Sequence, residues 1–164
     1  MQREGIHFHM GVPKNIQTLF PSHQRPGILV LDDLMRDCGE DQHVLDLFTK
    51  GSHHNDVTCL YLTQNLFPPG KYARTISLNT HYVVAFKNPR DAVGVRNLAQ
   101  QAYPGRVPYV MDCFQDATRS PYGYLLFDLH PATPDRLRLR TNLLTHPTIV
   151  YQEEEKETHK DGKR

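Results

Sequence analysis

Four consecutive aliphatic residues, Ile28-Leu29-Val30-Leu31, run directly into two carboxylates, Asp32 and Asp33. A run without polar alternation predicts a strand covered on both faces, as inside a parallel sheet flanked by helices. The C-terminal ends of such strands are where α/β sheets assemble their sites. There the first acid of a pair can hold the water shell of Mg²⁺, and the second can orient or deprotonate an attacking water. The same pattern also arises when the second Asp caps a helix, so the pair by itself leaves both readings open.

The segments around this strand supply the rest of an α/β pattern. Ile6 to Met10 reads as a short strand stopped by Gly11 and Pro13, and Ile16, Leu19 and Phe20 share the face of a short helix ended by Pro21. His7 and His9 fall on one side of that first strand, but no third ligand lies near them to make a metal site. Asp41 is placed to cap a helix carrying Val44, Leu45, Leu47 and Phe48, which stops at Gly51. Val57 to Leu62 is a second apolar strand, and it ends in Thr63-Gln64-Asn65. If the two strands are parallel neighbours, Asp32, Asp33 and Gln64 meet at one sheet edge, where the Gln64 amide can bond both a water and a phosphate oxygen.

Downstream, Pro68-Pro69-Gly70 fixes an exposed bend that leaves Lys71 and Arg74 open to a partner. Tyr82 to Phe86 reads as a third strand, and Val93, Val95, Leu98, Ala99 and Ala102 outline a helix ending near Tyr103-Pro104. Val107 to Thr118 reads as another helix, with Pro108 in its first turn. Pro121 to Leu129 and Leu137 to Asn142 read as strands forming a terminal hairpin, and residues 147–164 as a charged, disordered tail. The expectation is therefore a mostly parallel sheet flanked by helices, with a hairpin at its C-terminal end, in one domain over residues 1–146.

Charge and cysteines narrow the function classes. Nineteen basic and eighteen acidic residues in 164 leave a formal charge of +1, which gives no global attraction to nucleic acid or to membranes. Any polyanion contact must be local, and Lys87, Arg90, Arg96, Arg106 and Arg119 are the residues that can build a positive face. Three cysteines without C-x-x-C spacing predict reduced thiols, no disulfide and no zinc site. No apolar run approaches membrane-spanning length, so a soluble intracellular protein with no membrane partner is expected, in nucleus or cytoplasm.

The ordered series Ile28 to Met35, Phe48 to His54, Leu60 to Asn65, Phe86 to Asp91 and Tyr122-Gly123-Tyr124 resembles FtsK/HerA-type P-loop ATPases. The similarity is to the DNA-packaging ATPases of poxvirus-like and adintovirus- or Polinton-type elements, and it runs from about Ile6 to Thr141. The resemblance implies a RecA-like core, Mg²⁺ and ATP as cofactors, and homo-oligomeric rings that thread double-stranded DNA. It maps the Walker B acids onto Asp32, on Mg²⁺, and Asp33, on the attacking water, and the sensor amide onto Gln64. Two departures are visible. The phosphate loop G-x-x-x-x-G-K-[ST] occurs nowhere in the chain, and Gly70-Lys71-Tyr72 lacks its glycine spacing and its Ser/Thr ligand. The stretch corresponding to the arginine finger, Lys50 to Asn55, contains no arginine, which leaves Lys50, His53, His54, Arg74 and Arg90 as candidates for a partner nucleotide or DNA.

The expected product is thus the C-terminal portion of a packaging ATPase, of viral or transposon origin, inactive alone and able as it stands to do without a cofactor. The alternative is a non-catalytic, degenerate ATPase domain that binds subunits or DNA. A Mg²⁺-dependent nuclease built on Asp32 and Asp33 is a third option that lacks a third positioned acid.

Overall fold

The computed structural model describes residues 5–14, 19–21, 26–32, 34, 39–51, 56–145 and 147–153, and the chain divides into two compact units, Met1–Thr80 and His81–Arg164. Each builds its own sheet. In the first unit, strand β1 (Gly27–Leu31) pairs in parallel with β2 (Val57–Tyr61), Leu29 opposite Cys59 and Leu31 opposite Tyr61. Between them lies helix α1 (Gln42–Asp46), which widens into a single π-helical turn over Leu47–Gly51. Asp41 caps α1 by accepting the His43 N–H at 2.6 Å, a placement its position before the apolar stripe predicts. Helix α2 (Ala73–Leu78) follows the Pro-Pro-Gly bend.

Leu31, Val44 and Ile76 form the buried centre of this unit, with Leu29, Leu34, Leu45, Phe48, Tyr61 and Tyr72 packed against it. Each fully buried aliphatic side chain contributes roughly 1.5–3 kcal/mol. The core lies on one face of the β1–β2 pair. Residues of the opposite face are open: Ile28 is 66% exposed, Val30 50% and Leu60 45%.

The second unit is an antiparallel sheet in the order β3-β4-β5-β6: Tyr82–Phe86, Tyr124–Asp128, Leu139–Thr141 and Ile149–Val150. Helices α3 (Ala92–Ala102) and α4 (Val107–Ala117) connect β3 to β4, Pro108 lying in the first turn of α4. Val95, Leu98 and Ala99 of α3 and Val110 and Phe114 of α4 are buried, as are Leu125, Phe127 and Leu139 of the sheet. An apolar stripe at 3.6-residue spacing on each helix explains this burial.

The expected mostly parallel, RecA-like sheet is overturned. Parallel pairing is confined to β1 and β2, and the other four strands make a separate antiparallel sheet. Val83 of β3 faces Phe127, and Phe86 faces Tyr124, so β3 runs antiparallel to its partner β4. Tyr82, Val84 and Phe86 are exposed at 56%, 45% and 56%, which makes β3 a half-exposed strand and not an interior one. The two segments read as a terminal hairpin do pair, as β4 and β5, but as interior strands of this sheet.

Smaller departures have equally local causes. Ile6 to His9 hold no regular structure, with Phe8 90% exposed, and among the described residues no strand pairs with them. The expected helix before Pro21 falls largely outside the described residues. Ile149 and Val150, grouped by sequence with the charged tail, pair with Thr141 and Arg140, and Tyr151 donates its N–H to the Leu139 carbonyl at 2.9 Å.

Candidate functional site at the ends of the parallel strands

The parallel register of β1 and β2 decides where Asp32 and Gln64 lie. Leu31 and Tyr61 are paired, and the ladder extends one step further through the Leu62 N–H to the Leu31 carbonyl at 2.9 Å. Asp32 and Thr63-Gln64 therefore leave the pair at the same end, one residue past Leu31 and two or three past Tyr61. Asp32 is exposed between two anchors, because Leu31 is buried in the core and Leu34 packs against it. Thr63 turns the chain, its hydroxyl donating to the Asn65 carbonyl at 2.7 Å and accepting the Asn65 N–H at 3.3 Å. Gln64 is exposed in that turn. Asp33, the second acid of the pair, lies outside the described residues.

No family model, curated protein or solved structure matches this chain. The resemblance to FtsK/HerA-type ATPases therefore rests on residue identities alone.

The residues present offer part of a divalent-cation site and lack the string of a phosphate-binding loop. Mg²⁺ keeps several waters and commonly takes only one or two carboxylates, a role an exposed strand-end Asp32 suits. Among the described residues no group of three His, Cys, Asp or Glu side chains converges, so a two-metal centre has no support there. The sequence holds no G-x-x-x-x-G-K-[ST] string, the pattern of a loop whose amides cradle phosphates.

The other candidates are scattered. Lys50 is exposed in the π-helical turn, and His53 and His54 lie outside the described residues. Arg74 is exposed on the first turn of α2. Lys71 sits with its ammonium 4.9 Å from the Tyr72 ring centre, and its hydrogen bond with Tyr72 pushes its pKa up. Arg90, in the turn before α3, belongs to the second unit, where its backbone N–H bonds the Asn88 side chain at 3.0 Å. Of the expected basic face, Arg106 pairs with Glu153 at 3.1 Å and Arg119 with Asp116 at 2.9 Å. Lys87, Arg90 and Arg96 are exposed, and no ion pair among the described residues engages them.

Thiol chemistry is disfavoured at the two described cysteines, Cys59 and Cys113. Burial pushes the Cys59 thiol up to about 11 and raises Cys113 as well, so neither is a thiolate nucleophile at neutral pH. Both are free of disulfides. A feature that sequence reading missed is a cleft of about 440 Å³ in the second unit, between the start of α4 and residues 151–153. Its residues are spread from 103 to 153 with no local spacing to announce them.

Proposed function

We propose that this chain supplies the acid-and-amide part of a Mg²⁺-nucleotide site in a DNA-packaging or DNA-translocating ATPase, and that it does not turn over ATP alone. The observation behind this reading is the parallel register that sends Asp32 and Gln64 out of the same end of one strand pair. In this reading the Asp32 carboxylate holds the water shell of the cation. The Gln64 amide, with both a donor and an acceptor, orients a water. The phosphate-binding loop has to come from polypeptide other than these 164 residues, because no string in them can form it.

Mn²⁺ standing for Mg²⁺ tests the cation half directly. Titrated into the full chain, it is expected to broaden the amide resonances of residues 31–32 and 62–65 selectively, and Asp32→Asn should remove that effect. Broadening centred elsewhere, or unchanged in the variant, defeats the reading. ATP hydrolysis by the chain alone that depends on Asp32 would defeat its second clause.

A second reading is a non-catalytic module that binds DNA, favoured by the unpaired exposure of Lys87, Arg90 and Arg96. Three phosphate contacts predict weak duplex binding whose logarithmic salt slope is roughly −3. Replacing all three residues by alanine should abolish it. A slope near zero, or binding that survives the triple replacement, counts against this reading.

A further inference from the structure

Strand β3 stands at one end of the second unit's sheet, where only β4 pairs with it. The ladder between the two fixes which backbone groups of β3 are left over. Leu129 donates its N–H to the His81 carbonyl at 2.7 Å, one step beyond the paired Tyr82 and Asp128. Bonded and non-bonded pairs alternate along an antiparallel ladder, so Val83 and Ala85 exchange bonds with Phe127 and Leu125. The N–H and C=O groups of Tyr82, Val84 and Phe86 therefore point away from β4, and no backbone hydrogen bond among the described residues takes them up.

The two edges of this sheet are built differently. At the far edge β6 is only Ile149–Val150, preceded by Pro147 and followed closely by Glu153. A very short strand with proline and charge beside it discourages a further strand. β3 has none of these protections: its sequence Tyr-Val-Val-Ala-Phe holds no charge and no proline, and it pairs with β4 residue for residue without a bulge. Tyr82, Val84 and Phe86 also share one face, where all three are exposed and the Phe86 ring lies 5.8 Å from that of Tyr124.

The strand is complementary to itself. A two-fold axis through Val84 sets a second β3 antiparallel to the first, with Val84 opposite the partner's Val84 and Tyr82 opposite the partner's Phe86. Each of these is a bonded pair, so every outward N–H of Tyr82, Val84 and Phe86 finds a carbonyl on the other copy. A slip by two residues keeps the groups facing but carries one pair past the end of the strand. On the exposed face the Tyr82 ring comes beside the partner's Phe86, which continues the Phe86–Tyr124 contact across the joint. Lys87, the first charge after the strand, falls opposite the partner's His81, whereas parallel in-register pairing would set lysine against lysine.

We propose that β3 is a homodimerisation edge: it pairs antiparallel with β3 of a second copy of this chain, joining the two four-stranded sheets into one. The contact is isologous, so it closes after two copies and does not propagate. Three exposed side chains and one strand edge from each copy make it smaller than a standard interface, so the dimer is reversible, with an expected Kd of about 10–100 μM. It shares no residue with Asp32 and Gln64, and it stands or falls separately from the function proposed above.

Sedimentation equilibrium of the full chain from about 5 to 500 μM tests this, the mean mass being expected to rise from one chain towards two. Hydrogen exchange gives the site: the Tyr82, Val84 and Phe86 amides should gain protection with concentration, while those of Val83 and Ala85 are protected throughout. Val84→Pro removes an N–H that β4 does not use, and Val84→Lys sets two charges against each other at the two-fold axis without altering the backbone. Each should weaken association at least about 10-fold while the Leu125 and Phe127 amides stay protected, which shows that the sheet is intact. Under a mild oxidant Val84→Cys should cross-link to itself, and Tyr82→Cys should not, because the two copies of position 82 lie roughly 14 Å apart across the axis. A monomer throughout the concentration range, growth beyond two copies, or no concentration-dependent protection at Tyr82, Val84 and Phe86 overturns the proposal. So does a dimer that survives Val84→Lys, since it must use another surface, the open face of β1 and β2 included.

Discussion

Asp128→Ala should unfold the second unit's sheet more readily than any surface substitution in the chain, with an expected loss of roughly 3–5 kcal/mol. Asp128 ends β4 with its side chain 4% exposed. Its carboxylate accepts from the Arg140 guanidinium, from the Thr133 hydroxyl at 3.0 Å and from the His130 N–H at 3.1 Å. The Asp128 main-chain carbonyl accepts from Arg138 at 3.0 Å. One carboxyl group therefore ties β4 to β5 and to the turn that joins them. Arg140 already has a buried Nε without a partner, so losing Asp128 would leave its guanidinium with still less compensation for burial.

The pair itself is a different matter. Removing both charges takes away the attraction and both desolvation terms together, and well-packed apolar replacements can be neutral. Asp128→Leu combined with Arg140→Met is therefore expected to be more stable than either single variant. Denaturant midpoints of the four proteins, with the slope checked for constancy, measure this coupling. Additive losses would mean that the ion pair does not organise the β4–β5 connection.

Much of the local structure was legible because its signals are local. Asp41 before an apolar stripe announced the start of α1, and the spacing of Val95, Leu98 and Ala99 announced α3. Adjacent placement of β1 and β2 was legible only as a condition, since Asp32 and Gln64 converge if those strands run parallel. Strand direction was not legible. Tyr82 to Phe86 is apolar at each position, and an apolar run says nothing about whether its neighbour runs with it or against it. The same ambiguity hid the exposure of Ile28 and Val30, which read as interior residues and instead form an open face. Helix α2 was invisible because its one buried residue, Ile76, sets no periodicity in six residues. The cleft was hidden for another reason: Tyr103, Arg136 and Tyr151 come together only through the β4–β5–β6 pairing. The candidate site's chemistry could be read from residue types, but its incompleteness could be read only from a missing string.

Gly70→Ala should be the most damaging single-methyl change in the first unit, lowering stability by roughly 2–5 kcal/mol through backbone strain and overpacking together. Gly70 has φ +151°, and a Cβ there would come 2.6 Å from both the Cα and the carbonyl oxygen of Gly39. The intrusion is mutual, because a Cβ on Gly39 would meet the Pro69 carbonyl oxygen at 2.7 Å. Two backbones can cross this closely only where neither carries a side chain. The crossing is fastened on either side by the Tyr72 N–H to the Gly39 carbonyl at 2.8 Å and the Lys71 N–H to the Glu40 carboxylate at 3.1 Å. It delivers α2, and with it Ile76, onto Leu31 and Val44. Gly105→Ala is the control, since Gly105 has φ +80° but nothing within 4 Å of the added carbon. Strain without a clash is expected to cost about 1 kcal/mol there. Hydrogen exchange makes the comparison local: in Gly70→Ala the Tyr72 and Ile76 amides should lose protection while those of Leu125 and Phe127 keep it. Equal effects from the two substitutions would show that the crossing is not what holds α2 in place.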